Sequence, residues 1–449
     1  MRGCSRENSS VRARGLALAL LSLALCCARS APARVSEVPA PVLDGVEQRV
    51  REKLVAAQRL VEARRDDPAA WGAYGMVLDA HRQTGRAEIA YREARRLDPD
   101  DFRWTYHLAG LLDYKDPKEA AELFEDAVTI DPDYGPARVR YGETLEKLGR
   151  LDAAEEQFRR ATRLTPDDPL AWFGLGRSAL ARGELEVALE YLERAYAIDR
   201  GVQAITATLS RALFRAGEAE RARELAQRAR SLPRMTHHSD PRRAAVRDLA
   251  VDSESYLQRS RTYQEVGALD RALSELETLA RLEPDRADVH LAMAGLYDRM
   301  RRPAEAVAAA RRALAADAEL PGARAVLAGA LLKLGRFAEA RSEAERVLAA
   351  EPDNFHMLLV SAMAGAQTGD IGMAVQQVDR AFEARTGDPE LRDLLRRMLV
   401  DFGESFLAVG RREEGLERLE RALALDRESG LLSPSTRELE RRIRELRSG

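Results

Sequence analysis

A single period governs this chain: counting forward by 34 residues returns the same residue types along most of its 449 positions. One small residue recurs as Gly142, Gly176 and Ser210, and after an interruption as Ser260, Ala294, Ala328 and Ala362. A turn residue recurs as Gly149, Gly183, Gly217, Gly267, Arg301, Gly335 and Gly369, and a second small residue as Ala154, Ala188, Ala222, Ala272, Ala306, Ala340 and Ala374. Seven units in step specify a repeat array, in which a unit too small to bury its apolar face alone buries it against its neighbours. Pro132, Pro166, Pro284 and Pro352 close their units, whereas Arg200 and Ala318 stand at two boundaries without disturbing the register.

Each unit reads as two helices that touch closely. Val139, Gly142, Leu145 and Leu148 fall three apart, with Glu143, Glu146 and Lys147 on the opposite face, which is helical spacing. Gly149 follows the last periodic residue, where a chain leaving a helix adopts the left-handed conformation that glycine tolerates best. The second helix runs from Leu151 with Ala154, Phe158 and Ala161 on its apolar face, and Pro166 stops it. Gly142 and Ala154 let the two backbones approach, and Phe158 fills the space beside them. Strand-like alternation is absent, so no sheet is predicted.

With those residues placed, the chain resembles the tetratricopeptide repeat family over roughly residues 68–427. Trp172, Leu175, Gly176, Ala188, Leu192 and Ala195 match the family's signature well. The resemblance implies an all-α, right-handed superhelical solenoid of about ten helix-turn-helix hairpins, in blocks 68–233 and 255–430 separated by an insertion at 234–254. Two looser units come first, one with Trp71, Gly75, Tyr91, Ala94 and Pro99, the next with Leu108, Ala109, Ala120, Phe124, Ala127 and Pro132. Both are short around the turn and are expected to deviate. A last unit carries Gly403, Gly410, Leu419 and Ala422, with Gly410 lying 41 rather than 34 residues after Gly369. Residues 34–67 are predicted to form one amphipathic capping helix, with Val42, Val46, Val50, Leu54, Ala57 and Val61 on one stripe. Residues 431–449 are predicted to form a polar capping helix at the other end.

The N-terminus is of another kind. Arg2, Arg6, Arg12 and Arg14 precede an apolar run of 14 residues, "GLALALLSLALCCA", too short to span a bilayer and suited to an export signal over 1–33. Cleavage is expected after Ser30 or Ala33, or a lipid anchor at Cys26 or Cys27. "LALC" resembles the bacterial lipobox, although Leu25 and, for Cys27, Cys26 stand where a small residue belongs. The location expected from this reading is a bacterial cell envelope, periplasmic or as a membrane-anchored lipoprotein. Cys4, Cys26 and Cys27 are the only cysteines, so a processed chain has no disulfide and no thiolate metal site.

Sixteen extra residues lie between Gly217 and Gly267, around "SLPRMTHHSDPRRAAVRDLAVDSE". The expectation there is a surface turn before Pro241, then a first helix lengthened at its start by residues 242–253. His237, His238 and Asp240 are metal-ligating types, but three of them in one loop define no coordination geometry, and no metal or other cofactor is predicted. "GLGRSA" at 174–179 imitates a dinucleotide fingerprint but sits within a helical pattern with no strand before it. His81, His107, His290 and His356 fall in separate units with no nucleophile at a suggestive spacing. Net charge is −3 and no basic stripe with interleaved aromatics appears, which disfavours nucleic acid.

What remains is a binding surface, and the chain is read as no enzyme. In the family it resembles, the first helices line a groove that accepts peptides or partner helices. Carried over residue by residue, that groove would comprise Phe173, Arg177, Arg211, Phe214, Arg215, Leu257, Arg261, Leu291, Leu332, Leu359 and Met363. Its middle offers aromatic and arginine pairs for an acidic or extended segment, and its C-terminal half offers aliphatic residues for an amphipathic helix. The expected function is an envelope scaffold that binds a protein or peptide partner. The alternatives are a glycan or small-ligand binder and the non-catalytic arm of an enzyme complex.

Overall fold

A computed structural model describes residues 37–232, 240–384, 389–428 and 434–448. Among them are 23 helices and no strand, an all-α repeat solenoid. Residues 1–33, where an export signal is expected, with Cys26 and Cys27, and His237 and His238 lie outside the described residues. The chain divides after Ser255 into two compact units.

In the first unit a helix α1 (Gln48–Ala63) precedes five hairpins: α2 (Pro68–Ala80) with α3 (Thr84–Leu97), α4 (Phe102–Leu112) with α5 (Pro117–Ile130), α6 (Gly135–Lys147) with α7 (Leu151–Leu164), α8 (Pro169–Arg182) with α9 (Leu185–Ile198), and α10 (Gln203–Arg215) with α11 (Ala219–Ser231). A short helix α12 (Pro241–Asp248) follows. In the second, α13 (Ser253–Glu265), whose first residues precede the division, pairs with α14 (Leu269–Leu282). Then come α15 (Ala287–Arg299) with α16 (Pro303–Ala316), α17 (Ala323–Lys333) with α18 (Phe337–Ala350), α19 (Phe355–Gln367) with α20 (Ile371–Ala384), and α21 (Pro389–Ala408) with α22 (Arg412–Glu428). Helix α23 (Pro434–Ser448) is the last among the described residues.

The small residues do what their spacing implies. Phe158, fully buried, wedges between neighbouring first helices: a Cβ added at Gly142 would stand 2.7 Å from its ring, and one at Gly174 would stand 2.5 Å away. Leu192 fills the same role against Gly176, Tyr91 against Gly75 and Leu419 against Gly403. Gly149, Gly183, Gly217, Gly267, Gly335, Gly369 and Gly410 all carry positive φ at their turns, between 72° and 89°. Arg301 occupies this turn position without being glycine and still adopts φ 58°. Of the two early hairpins expected to deviate, only the second does: Arg82 makes the first turn at φ 60°, as Arg301 makes its own, whereas the turn after Leu112 contains no residue of positive φ.

A second recurring device joins consecutive hairpins. A first-helix side chain donates to the carbonyl six residues before it, at the end of the preceding unit. The pairs are Trp71 Nε1 to Arg65 O (2.8 Å), Arg138 Nε to Pro132 O (2.9 Å), Trp172 Nε1 to Pro166 O (2.9 Å) and Arg324 Nη2 to Ala318 O (3.0 Å). His290 Nε2 lies 2.7 Å from Pro284 O in the same way. Carbonyls left over at a helix end need a donor, and the donor's identity is free to vary.

Two expectations fail. Residues 34–67 do not form one helix, because Pro39 and Pro41 lack the donors and the freedom a helix needs. Residues 37–47 are instead non-helical and are held by the first hairpin. Tyr74 Oη donates to Pro39 O (2.5 Å), Arg86 Nε to Ala40 O (2.6 Å), and Gln83 exchanges two bonds with the Val42 backbone. Nor do residues 242–253 lengthen the next helix. Asp240 and Pro241 open a separate helix, as Asp-Pro pairs do at Pro68, Pro117 and Pro169. It ends at Leu249, and Asp252 then accepts from Ser255 N (2.9 Å) to start α13.

Candidate functional site

The surface turn expected before Pro241 falls on residues 233–239, outside the described residues. Residues 240–253 pack against the face of the first unit that its first helices line, here called the inner face. Asp240, 3% exposed, is the anchor. Its Oδ2 accepts from Tyr106 Oη (2.5 Å) and its Oδ1 from Tyr134 Oη (2.6 Å), while Oδ1 also caps the Arg242 and Arg243 amides. Burial by itself raises a carboxyl pKa, but these donors and the nearby Arg140 guanidinium outweigh it and hold Asp240 below the usual carboxylate value.

The rest of the segment follows in register. Arg242 lies over the rings of Phe102 (5.0 Å) and Tyr134 (5.3 Å). Arg243 Nη1 sits 3.2 Å from Asp79 Oδ2, whose pKa burial raises against the pull of that arginine. Val246 and Ala250 are buried, and Leu249 and Val251 pack on the first unit's core. Farther along, Asp252 Oδ2 lies 3.7 Å from His81 Nδ1, Glu47 accepts from Ser253 N (3.0 Å), and Arg49 donates to Val251 O and to Ser253 Oγ (2.6 Å). Sequence reasoning missed all of this. Its only local signal was the Asp-Pro pair followed by Val246 and Ala250 at helical spacing.

Beside α12 a cleft of about 500 Å³ stays open, lined by charge: Arg140, Glu143, Lys147, Arg177 and Arg247 among others. Arg177 pairs with Glu146 at 2.5 Å and lies over the Phe173 ring at 4.8 Å, with Phe173 itself buried. Arg211 donates to Thr208 Oγ1 (3.0 Å), and Arg215 and Phe214 are exposed, the phenyl ring by 69%.

The second unit has an inner-face cleft of different chemistry. About 490 Å³ is lined by Leu332, Phe337, Met363, Ala366, Met398 and Phe402, with Gln367, Asp401 and Ser405 also on its wall. Met363 is 42% exposed and Leu332 half-buried, so the structure brings these two sequence candidates into one depression. Leu257 and Leu359 are buried in the cores of this unit, Leu291 is half-buried and Arg261 exposed. The "GLGRSA" stretch lies wholly within α8, with both its glycines against neighbouring side chains. Among the described residues no three His, Cys, Asp or Glu side chains gather as a metal site, and no helix is long and apolar enough to cross a membrane.

Family comparison agrees with the helical pairing. Tetratricopeptide-repeat models match residues 75–135, 111–175, 179–234 and 299–361. No curated protein sequence matches the chain. Similar solved structures include YrrB, described as a TPR protein with an unusual peptide-binding site (23% identity, 39% of this chain and 90% of that one, TM-score 0.35). Others are MamA of Desulfovibrio magneticus RS-1 (18%, 41% and 96%, 0.32) and pilF of Pseudomonas aeruginosa (21%, 48% and 92%, 0.33).

Proposed function

Because this chain is a tetratricopeptide-repeat protein, and such repeats serve as protein-interaction scaffolds and are generally non-catalytic, we propose that it is a non-enzymatic scaffold whose second unit holds a partner segment. The occupant is the apolar face of an amphipathic helix, read at spacings of three and four residues. One observation carries the reading: three successive first helices, α17, α19 and α21, supply Leu332, Met363, Met398 and Phe402 to a single depression, with Gln367, Asp401 and Ser405 as its polar wall. Methionine suits such a surface because its unbranched, polarizable side chain adapts to varied ligands. The scaffold acts in a bacterial cell envelope, a location supported by the basic and apolar N-terminal run and by the cysteines confined to its neighbourhood.

The test is affinity capture with the full-length chain from an envelope extract, run beside Met363→Glu. A charge at this position, 42% exposed, sets a carboxylate among the apolar residues of the cleft. Partners held by the wild-type chain and lost by the variant, at equal helicity, support the reading; partners held equally by both reject the cleft. Fractionation of cells expressing the wild-type chain and a Cys26→Ala, Cys27→Ala variant tests the location: release from the membrane fraction by the variant indicates the anchor.

A further inference from the structure

The inner face of the first unit already has an occupant, and that occupant is covalently part of the chain. Its contacts differ from those between repeats in their reach. Repeat contacts here join neighbouring units, by apolar wedges such as Phe158 against Gly142 and by side-chain bonds such as Thr144 to Asp113. The segment 240–253 instead presents a buried carboxylate to two phenols, an arginine to a carboxylate and another arginine to two aromatic faces. These are directional, charge-assisted contacts of the kind that select one sequence over another. The fit is incomplete on both sides: His81 Nε2, His107 Nδ1 and Arg140 Nη1 of the inner face and Arg242 Nε of the segment are buried without a hydrogen-bond partner. Each such group costs free energy that a better-matched ligand would recover.

We propose that the inner face of the first unit is a peptide-recognition site, with residues 240–253 as its resident ligand, and that it accepts in trans a partner segment of the same chemistry. That segment carries an aspartate at the head of a short helix, basic residues at the second and third positions after it and an aliphatic residue at the sixth, as Asp240, Arg242, Arg243 and Val246 do. The site is independent of the apolar cleft in the second unit. Tethering gives the resident a high effective concentration, so a partner binds only when it is abundant or better matched.

The experiment uses full-length protein and a labelled peptide of sequence DPRRAAVRDLAVDSE, residues 240–254. Wild-type chain, with its site filled, is expected to bind it at least about tenfold more weakly than a chain cleared by Asp240→Ala and Arg243→Ala. Adding Tyr106→Phe and Tyr134→Phe to the cleared chain should weaken binding by about tenfold or more, as should an Asp→Asn change at the first position of the peptide. A second measurement needs no variant: excess unlabelled peptide should speed hydrogen exchange of amides 241–252 in the wild-type chain and leave α18 unchanged. The proposal falls if the cleared chain, folded by circular dichroism, does not bind the peptide. It falls equally if wild-type and cleared chains bind alike, or if excess peptide leaves exchange at 241–252 unaltered.

Discussion

Tyr106 donates its phenolic proton to Asp240, 134 residues later in the chain, across 2.5 Å. Both partners are buried, so removing either leaves the other without a bond it makes in the folded chain. A hydrogen bond to a charged group is worth about 1.5–3 kcal/mol. Tyr106→Phe is therefore expected to lower the stability of the first unit by about that amount, and Tyr134→Phe, at a half-buried phenol, by less. All three tryptophans, Trp71, Trp104 and Trp172, lie in the first unit. Urea unfolding followed by their fluorescence reports on that unit alone.

Gly142 and Gly174, on neighbouring first helices, are both constrained by one ring. Gly174→Ala sets a methyl 2.5 Å from Phe158, which is fully buried and has no room to retreat. Overpacking of this kind costs about 1–3 kcal/mol. The double variant Gly174→Ala, Phe158→Leu should recover part of that loss, and an additive result in a double-mutant cycle would show that the two residues do not interact.

Arg301 pays for a turn that glycine makes freely. A side chain in the left-handed region costs roughly 1 kcal/mol, so Arg301→Gly is expected to stabilise the second unit by about 0.5–1 kcal/mol. Gly335→Ala, at the same turn one repeat on, should destabilise by about 1 kcal/mol although its added methyl meets nothing nearer than Phe337 at 4.0 Å. Calorimetry of the full chain separates these shifts from the tryptophan-reported transition.

Acid weakens the first unit through a histidine. Burial, aided by Arg243, pushes His107 from 6.5 down to about 3. Below pH 6.5 the unfolded chain takes up a proton that the folded chain refuses, so stability falls with pH from about 6.5 and levels off only near 3. The slope approaches about 1.4 kcal/mol per pH unit, or about 2 kcal/mol between pH 6.5 and 5. His81 is lowered by burial as well and adds in the same direction. The urea midpoint read by tryptophan should drop accordingly over this interval, and His107→Leu should remove most of the drop; an equal drop in the variant would refute the assignment.

The hairpins were legible because their determinants are local. A glycine, an alanine and a proline at fixed offsets announce a turn, a close approach and a stop, and the structure obeys even where Arg301 replaces the glycine. Pro39 and Pro41 announce a non-helical start as plainly, since their missing donors outweigh the apolar stripe through Val42 and Val46. The docking of residues 240–253 could not be read in this way. Asp240, Tyr106 and Tyr134 are ordinary in their own neighbourhoods, and only folding brings a carboxylate from one part of the chain to phenols from another. The inner-face candidates divide along the same line: helical spacing placed Leu332 and Met363, but the burial of Phe173, Leu257 and Leu359 depends on what the neighbouring repeats lay over them.

A stack of hairpins normally behaves as a one-dimensional chain of neighbours, able to come apart from either end one link at a time. The segment 240–253 changes that for the first unit, because Glu47, Asp79, Tyr106 and Tyr134 all reach the same fourteen residues. Its ends are spliced together, so fraying at α1 must also undo contacts formed about 200 residues later. The first unit thus acquires the all-or-none character of a globular domain and the slower closure that distant contacts impose. The described residues of the second unit carry no such splice, and a single chain joins a cooperative block to a row of links that loosen in sequence.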